Sequence, residues 1–442
     1  MPLDNFNKIT PINGFDTDKN NAMQNNYAWS MSELGEYLYV GTGRNILYGV
    51  LLAIQRRIPG FQIPEDIVPD PVDNRAEIWR YNKALPNAGW TRVFKAPEGV
   101  SGFRFMIRYT DPQGRTALYA GAFSSPKVKV YRSVDGLNWI EMPNDVLEGT
   151  STRSMVIHTN GKLYMSTVAE GASTQEAFIY EYIPPTAGFP QGNWLRVTAD
   201  SNSDNFDPNR NPTGQIAIME SFNGHIYAGN TTEEGFELWR TIGTEPAVNG
   251  WKLVIDKGAG DSINMIPLTL GVFKDHLYVG AIMFPLFAQN LFSLEAFKPF
   301  DLIRINKDDR WELVIGGQPY QPTVPTTPGP RGTPISLLPS GAGNFFNLYC
   351  WQLVEYNGEL YLGTFDWLVV FFKVLRLPSS SPYSGFDLLK SSDGISWESV
   401  TSNGFGNQDN YGARLLFKST NGHLYVGTAN PFEGCEVWEN IL

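Results

Sequence analysis

The chain is short of cysteine, of charge and of long apolar runs, and each shortage removes a class of protein. Among 442 residues there are 2 cysteines, Cys350 and Cys435. Two thiols cannot build a disulfide scaffold or a Cys-rich zinc site. Charged residues make up 18%, and 34 Lys and Arg stand against 45 Asp and Glu, for a net charge of −11. A nucleic-acid partner is excluded, because displacing counterions needs a basic face. A polybasic attachment to anionic lipid is disfavoured for the same reason. The longest apolar run, Trp367 to Phe372, is far shorter than a bilayer span of about 20 residues. Met1 to Asn25 is polar and shows no secretory signal, so a cytoplasmic location is the expectation.

Aromatics and turn formers are what the chain has. There are 12 Trp, 20 Tyr, 27 Phe, 43 Gly and 30 Pro. That composition fits a folded, turn-rich, all-β chain.

A short phrase occurs seven times: Leu38-Tyr39-Val40-Gly41, Leu118-Tyr119-Ala120-Gly121, Leu163-Tyr164-Met165-Ser166, Ile226-Tyr227-Ala228-Gly229, Leu277-Tyr278-Val279-Gly280, Leu360-Tyr361-Leu362-Gly363 and Leu424-Tyr425-Val426-Gly427. Each copy reads as a strand. Another apolar strand precedes it, often across an Asn-Gly turn such as Asn223-Gly224 or Asn357-Gly358. An acidic–aliphatic–bulky triplet follows, as in Glu77-Ile78-Trp79, Glu237-Leu238-Trp239, Asp301-Leu302-Ile303, Asp387-Leu388-Leu389 and Glu436-Val437-Trp438. A Trp then opens a fourth strand at Trp90, Trp139, Trp194, Trp251, Trp311 and Trp397. Four antiparallel strands repeated seven times predict a seven-bladed β-propeller occupying residues 1–442 as one domain. The last repeat lacks its fourth strand. Residues 5–10 resemble it, with Phe6 in the Trp position, so the N-terminal strand is expected to complete the last blade and close the ring.

Two hairpins, Ser133-Val134-Asp135-Gly136-Leu137-Asn138-Trp139 and Ser392-Asp393-Gly394-Ile395-Ser396-Trp397, resemble the Asp-box hairpins of sialidase-like propellers. In that family the box is a structural turn in which the Asp satisfies backbone donors.

The second-to-third loops differ in length. From the phrase's glycine to the triplet's aliphatic, repeats two, four and seven take 9, 9 and 10 positions, whereas repeats one, five and six take 37, 22 and 25. The resulting insertions, 46–75, 282–300 and 366–385, are apolar along Ile46 to Phe61, Met283 to Phe300 and Trp367 to Leu377. They are expected on the top face, where propellers hold ligands. The Pro-rich link Gln318 to Pro339 is expected to rim the same face. Two readings stay open: a lid with its own small core, or an apolar surface for a protein partner, a membrane interface or a greasy substrate, with an oligomer among the partner expectations.

Few catalytic signatures are present. Gly-x-Ser-x-Gly and phosphate loops are absent. His158, His225, His276 and His423 fall beside turns in different repeats, so no metal centre is expected from them. Asp200, Asn202 and Asp204 alternate like calcium-loop ligands, but the sixth-position Gly and closing Glu are missing. An ordinary acidic turn is the expectation, calcium the alternative, and no other cofactor is implied.

Arginines give the more informative pattern. Arg104, Arg153 and Arg414 fall near the starts of first strands, where alternate side chains face the channel. Three arginines placed this way resemble the carboxylate-binding set of sialidases, because guanidinium forks match planar oxyanions. That family's Tyr–Glu nucleophile pair and catalytic Asp have only loose counterparts in Tyr27, Tyr349, Tyr411, Glu220 and Asp409. Asn26, Asn264, Asn347 and Asn410 open first strands, with Trp29 and Trp351 nearby, and are candidate ligand-binding residues. The expectation is a pocket at the top of the channel for a small, partly apolar, anionic molecule. By resemblance to the propeller of bacterial cyclophane-forming alkylating enzymes, which act on phenols and alkyl halides, a halogenated substrate is included. The alternative is a non-catalytic module that docks a partner through the insertions.

Overall fold

In a computed structural model of the chain, the structure describes residues 5–171, 176–283, 298–317, 331–377 and 384–440. Most of the insertion 282–300 and the link residues 318–330 lie outside the described residues. The chain is nearly all-β, in antiparallel sheets of four strands. It divides into two compact units, one formed by Met1–Arg104 with Phe346–Leu442, the other by Phe105–Phe345.

The first unit holds three four-stranded sheets. One is Asn25–Leu34, Tyr37–Arg44, Glu77–Asn82 and Trp90–Lys95. The second is Asn347–Tyr356, Glu359–Asp366, Leu388–Ser391 and Glu398–Thr401. In the third, Gly412–Lys418, Leu424–Ala429 and Val437–Asn440 are joined by the N-terminal strand Phe6–Lys8. Phe6 lies opposite Asn440 and Lys8 opposite Trp438. Phe6 is buried and packs on Phe405 with ring centroids 4.9 Å apart.

The second unit repeats the pattern. Its full sheets start at Ser151–Ile157, Ile216–Phe222 and Ile266–Phe273. Thr116–Ser124, Val130–Ser133 and Ile140–Glu141 form a further antiparallel run.

The recurring phrase is the buried second strand throughout: Leu38, Leu118, Leu163, Ile226, Leu277, Leu360 and Leu424 have no exposed surface. Its glycine is explained by close approach. A Cβ on Gly363 would stand 2.7 Å from Ala413 Cβ, one on Gly427 2.7 Å from Ala28 Cβ, and one on Gly121 2.5 Å from Thr152 Cγ2. Each contact is with the first strand of the following sheet, so a side chain there would force the sheets apart.

In four of the five triplets the acidic residue is a buried anchor; the fifth, Glu237, is half-buried and accepts from Asn230 Nδ2 at 3.0 Å and Trp239 Nε1 at 2.8 Å. Glu77 accepts from Asn25 Nδ2 at 3.0 Å and from Trp79 Nε1 at 2.9 Å. Glu436 repeats this with Asn410 (2.7 Å) and Trp438 (2.8 Å). Asp387 takes Asn347 at 2.7 Å, and Asp301 takes Asn264 at 3.1 Å. Around Asp301 the anchor is ionic as well. Lys298 Nζ donates at 2.7 Å, Arg331 Nη1 at 2.8 Å and Ser340 Oγ at 2.7 Å.

The two hairpins that resemble Asp boxes share one bonding scheme. Asp135 Oδ1 accepts from the Leu137 and Asn138 amides at 2.8 Å, and Asp393 Oδ1 from those of Ile395 and Ser396 at 2.7 Å. The serine of the second scheme is Ser391, which takes the Gly394 amide at 2.8 Å.

Two insertions contain helices where loops were expected. Ile46–Arg57 buries Leu47, Leu51 and Ile54, a spacing of four and three residues that places them on one helical face. Leu368–Val374 buries Leu368, Val369 and Val370. The insertions are tied together: Lys373 Nζ reaches Asp66 Oδ2 at 2.6 Å, and Arg376 Nη2 reaches Gln62 Oε1 at 2.6 Å.

Phe6→Ala removes a buried ring from the terminal strand and is expected to cost about 3 kcal/mol. A shift in the urea midpoint checks it, and an unchanged midpoint would mean that the strand contributes no packing. Asp301 titrates at about 2, because Lys298 and Arg331 outweigh the opposing effect of burial. A carboxyl held below its ordinary value of 3.8 adds stability above that pH and loses it as pH falls towards 2. Asp301→Asn is therefore expected to flatten the melting temperature over that acid range. It should also destabilise the protein near neutral pH by about 3 kcal/mol, because only Asp261, at 3.5 Å from Lys298 and 3.7 Å from Arg331, would then face two buried cations.

Candidate functional site

The geometry of the site begins with a β-bulge. In first strands the pairing register skips one residue at the same place: between Ala28 and Ser30, Thr152 and Ser154, Ile216 and Ile218, Pro267 and Thr269, Cys350 and Gln352, and Ala413 and Leu415. The skipped residues are Trp29, Arg153, Ala217, Leu268, Trp351 and Arg414. A bulge re-aims the extra residue and leaves the rest of the ladder intact. Identity at this position is therefore free to vary without cost to the strand pairing.

In the first unit these positions come together. Trp29 and Trp351 are buried, at 4% and 8% exposure. Glycine backbone supplies their seats. A Cβ on Gly102 would stand 2.1 Å from Trp29 Cζ3, and one on Gly412 2.0 Å from Trp351 Cζ3. The guanidinium carbon of Arg414 lies 5.2 Å from the Trp351 ring centroid and 5.9 Å from that of Trp29. Arg104 lies 4.9 Å from Trp29. Both arginines are half-buried. The result is an alternating series, Trp351, Arg414, Trp29, Arg104, in which cations rest on indole rings.

Tyrosines back this series. Tyr27 packs edge-on to Trp29 at 5.8 Å and to Trp351 at 5.6 Å, and its hydroxyl is hydrogen-bonded to that of Tyr411. Burial pushes Tyr27 up to about 12, although the bond to Tyr411 and the charges of Arg414 and Arg104 pull the other way. Burial, reinforced by Tyr27, carries Tyr411 well above the ordinary phenol range. Both phenols are thus neutral hydrogen-bonding groups near neutral pH, and their chemistry is positioning. Tyr349 is half-buried and stacks on Phe365 at 4.7 Å.

The remaining sequence candidates sit elsewhere or have other work. Asn264, Asn347 and Asn410 are buried, with their amides spent on the triplet carboxylates. They hold sheets together rather than offer donors to a ligand. The equivalent residue in the first sheet is Asn25; Asn26 instead donates to the Met23 carbonyl at 2.6 Å. Asp409 is half-buried at an open cleft of about 720 Å³ lined by Lys373, Asn407, Gln408 and Glu433. Burial raises its carboxyl, with Lys373 opposing and Glu433 and Asp66 adding. In the second unit, Arg153 Nε lies 3.2 Å from Glu170 Oε1. Glu220 is half-buried, and desolvation lifts it to about 7 against the single amide bond from Ser221 at 2.8 Å. Asp200 Oδ1 accepts from the backbone amide and side chain of Asn202 at 2.9 and 3.2 Å, which closes that turn on itself. Among the described residues no group of three or more His, Cys, Asp or Glu is placed to hold a metal ion.

Sequence reasoning missed the seats. Their signal was legible, because Gly102-Phe103-Arg104 and Gly412-Ala413-Arg414 share a Gly-x-Arg pattern. Tyr27-Ala28-Trp29 and Tyr349-Cys350-Trp351 share Tyr-x-Trp.

No family model and no curated protein sequence matches the chain. Similar solved structures include a subtype N10 neuraminidase-like protein of A/little yellow-shouldered bat/Guatemala, at 11% identity and TM-score 0.36, covering 76% of this chain and 93% of that one. A 6-phosphogluconolactonase-like protein of Bacteroides uniformis gives 10% identity and TM-score 0.42, with 81% and 85% coverage. A GH43 β-xylosidase/α-arabinofuranosidase from a compost metagenome gives 11% identity and TM-score 0.31, with 70% and 96% coverage. At such scores these similarities fix neither the number of blades nor an activity.

The raised carboxyl of Glu220 sets a pH dependence of opposite sign to that of Asp301. Its folded-state value lies above the ordinary 4.5, so its contribution to stability is full below that pH and is lost as pH rises through about 7. Glu220→Gln is expected to be the more stable protein at about pH 8, with the difference vanishing near pH 4. Equal melting temperatures at both ends would show that the carboxyl is well solvated.

Proposed function

We propose that the chain is a seven-bladed β-propeller, closed by pairing of Phe6–Lys8 with the last strand, that binds a small oxyanion at Arg104 and Arg414. The observation that carries the reading is the Arg414 guanidinium, half-buried and flanked by two buried indoles. A guanidinium held against flat rings loses little freedom on binding, and its planar fork matches a carboxylate or phosphate. The indoles and Tyr27 supply the partly apolar surroundings, and the neutral phenols add no competing negative charge. Binding, rather than a named reaction, is the extent of this reading.

Titration with benzoate, followed by tryptophan fluorescence, tests it. Wild-type protein should respond, and Arg414→Ala should bind at least about tenfold more weakly, the cost of a charge-assisted hydrogen bond. Arg414→Lys should recover only part of the loss, because an ammonium lacks the fork. An Arg414→Ala variant that folds normally and binds benzoate as wild type does would overturn the assignment.

A further inference from the structure

Two stretches of the first unit carry almost no polar residues to turn towards water. Residues 46–64 have Arg56 and Arg57 as their only charged residues, and residues 367–377 have only Lys373 and Arg376. Neither stretch holds an Asp or a Glu, in a chain whose net charge is −11. Local charge is therefore opposite in sign to that of the whole protein.

The helix Ile46–Arg57 shows how these residues are arranged. Leu47, Leu51 and Ile54 form its buried face. At about 3.6 residues per turn the opposite stripe is Gly49, Leu52, Ala53 and Arg56. A helix that packs one face and meets water with the other carries polar residues on the second. Here Gly49 is exposed, Leu52 and Ala53 are half-buried, and polarity begins only at Gln55, Arg56 and Arg57, all exposed. The helix dipole favours arginines in the last turn, but it equally favours an acid in the first turn, and there is none.

The second stretch follows the same plan. The helix Leu368–Val374 buries Leu368, Val369 and Val370, then leads into exposed Leu375, Arg376 and Leu377. The contacts of Lys373 with Asp66 and of Arg376 with Gln62 set the two insertions side by side. Asp66 offsets the charge of Lys373, whereas Gln62 is neutral. A closed lid accounts for the buried faces alone. It gives no reason for leucines on the outer side or for the missing acids.

We propose that this side of the first unit docks on a membrane surface, its apolar stretches entering the interfacial layer and Arg56, Arg57 and Arg376 meeting anionic headgroups. The 12-residue helix suits a position in the plane of the interface. No described helix is long and apolar enough to cross a membrane. Tyr48 and Trp367, half-buried near the starts of the two helices, are residue types that settle at headgroup level. A polybasic patch is not required, because apolar burial supplies most of the affinity and the arginines set the preference for negative lipid.

Co-flotation of the full chain with phosphatidylcholine vesicles tests this, with about one third phosphatidylserine and without it. Wild-type protein should float with both, and at least about tenfold more tightly where phosphatidylserine is present, since each basic residue at an anionic surface is worth roughly fivefold. Arg56→Gln combined with Arg57→Gln should remove most of that preference and leave flotation with phosphatidylcholine alone unchanged. Leu52→Gln, Leu375→Gln and Leu377→Gln together should weaken binding to both vesicles at least about tenfold. Thermal melts establish that each variant is folded. If folded wild-type protein floats with neither vesicle, or if the triple leucine variant floats as wild type does, the inference fails. Equal flotation with and without phosphatidylserine would overturn the anionic surface. Sedimentation velocity without lipid covers the other occupant: dimers that the leucine substitutions dissolve, in a protein that ignores vesicles, would overturn the inference in favour of a second copy of the chain.

Discussion

The sheets depend on a buried carboxylate at the head of the third strand. Glu77, Asp301, Asp387 and Glu436 each accept an amide from an asparagine at or just before the start of the first strand. That single bond crosses the sheet and fixes the two ends of the strand set against each other. Burial of a carboxylate is costly unless every lone pair is engaged. The partners therefore differ while the carboxylate stays: an indole two residues on in two sheets, and lysine and arginine around Asp301. Because those cations belong to segments flanking the longer loops, the anchor also fixes where the loops leave the sheet.

With register secured there, the first strand can tolerate a disruption. The bulge in the middle of that strand breaks the ladder for one residue and makes no demand on its side chain. Tryptophan, arginine, alanine and leucine all occur at it. Framework and function are thereby separated along one strand: the asparagine end is committed to stability, and the bulge is open to specialisation. Three of the four asparagines singled out as ligand donors, Asn264, Asn347 and Asn410, have their amides engaged in this way. A recurring polar residue at a strand start is as well explained by a recurring structural bond as by a site, and the buried carboxylate opposite decides for the bond.

Much of the architecture was readable because it repeats. The Leu-Tyr-x-Gly phrase marks a strand with a close neighbour, and the acidic triplet marks the next strand; both are local patterns seen several times over. The helix Ile46–Arg57 was not read, although Leu47, Leu51 and Ile54 carry helical spacing, because an apolar stretch between two strands looks like a loop when only its length is considered. At the site, Trp29, Trp351, Arg104 and Arg414 were legible as residues near first-strand starts, but their partnership was not. It depends on which side chain the bulge turns out, and a one-residue register shift leaves no mark in composition. The glycines that seat the indoles carried the missing information, as spacing relative to the arginines.

The placement of those arginines has an electrostatic logic in a chain of net charge −11. An exposed cation on an acidic protein attracts surface carboxylates and is neutralised by them. A cation mounted on a buried indole is also drawn to the ring's quadrupole, which helps to hold it in place. The phenols behind it serve the same end. Tyr27 and Tyr411, buried against each other, stay protonated, so the phenols add hydrogen-bonding groups without adding negative charge. The arginines and the aromatic rings thus hold one another in place, and the fixed orientation of a planar guanidinium follows from the rigidity of the buried indoles beside it.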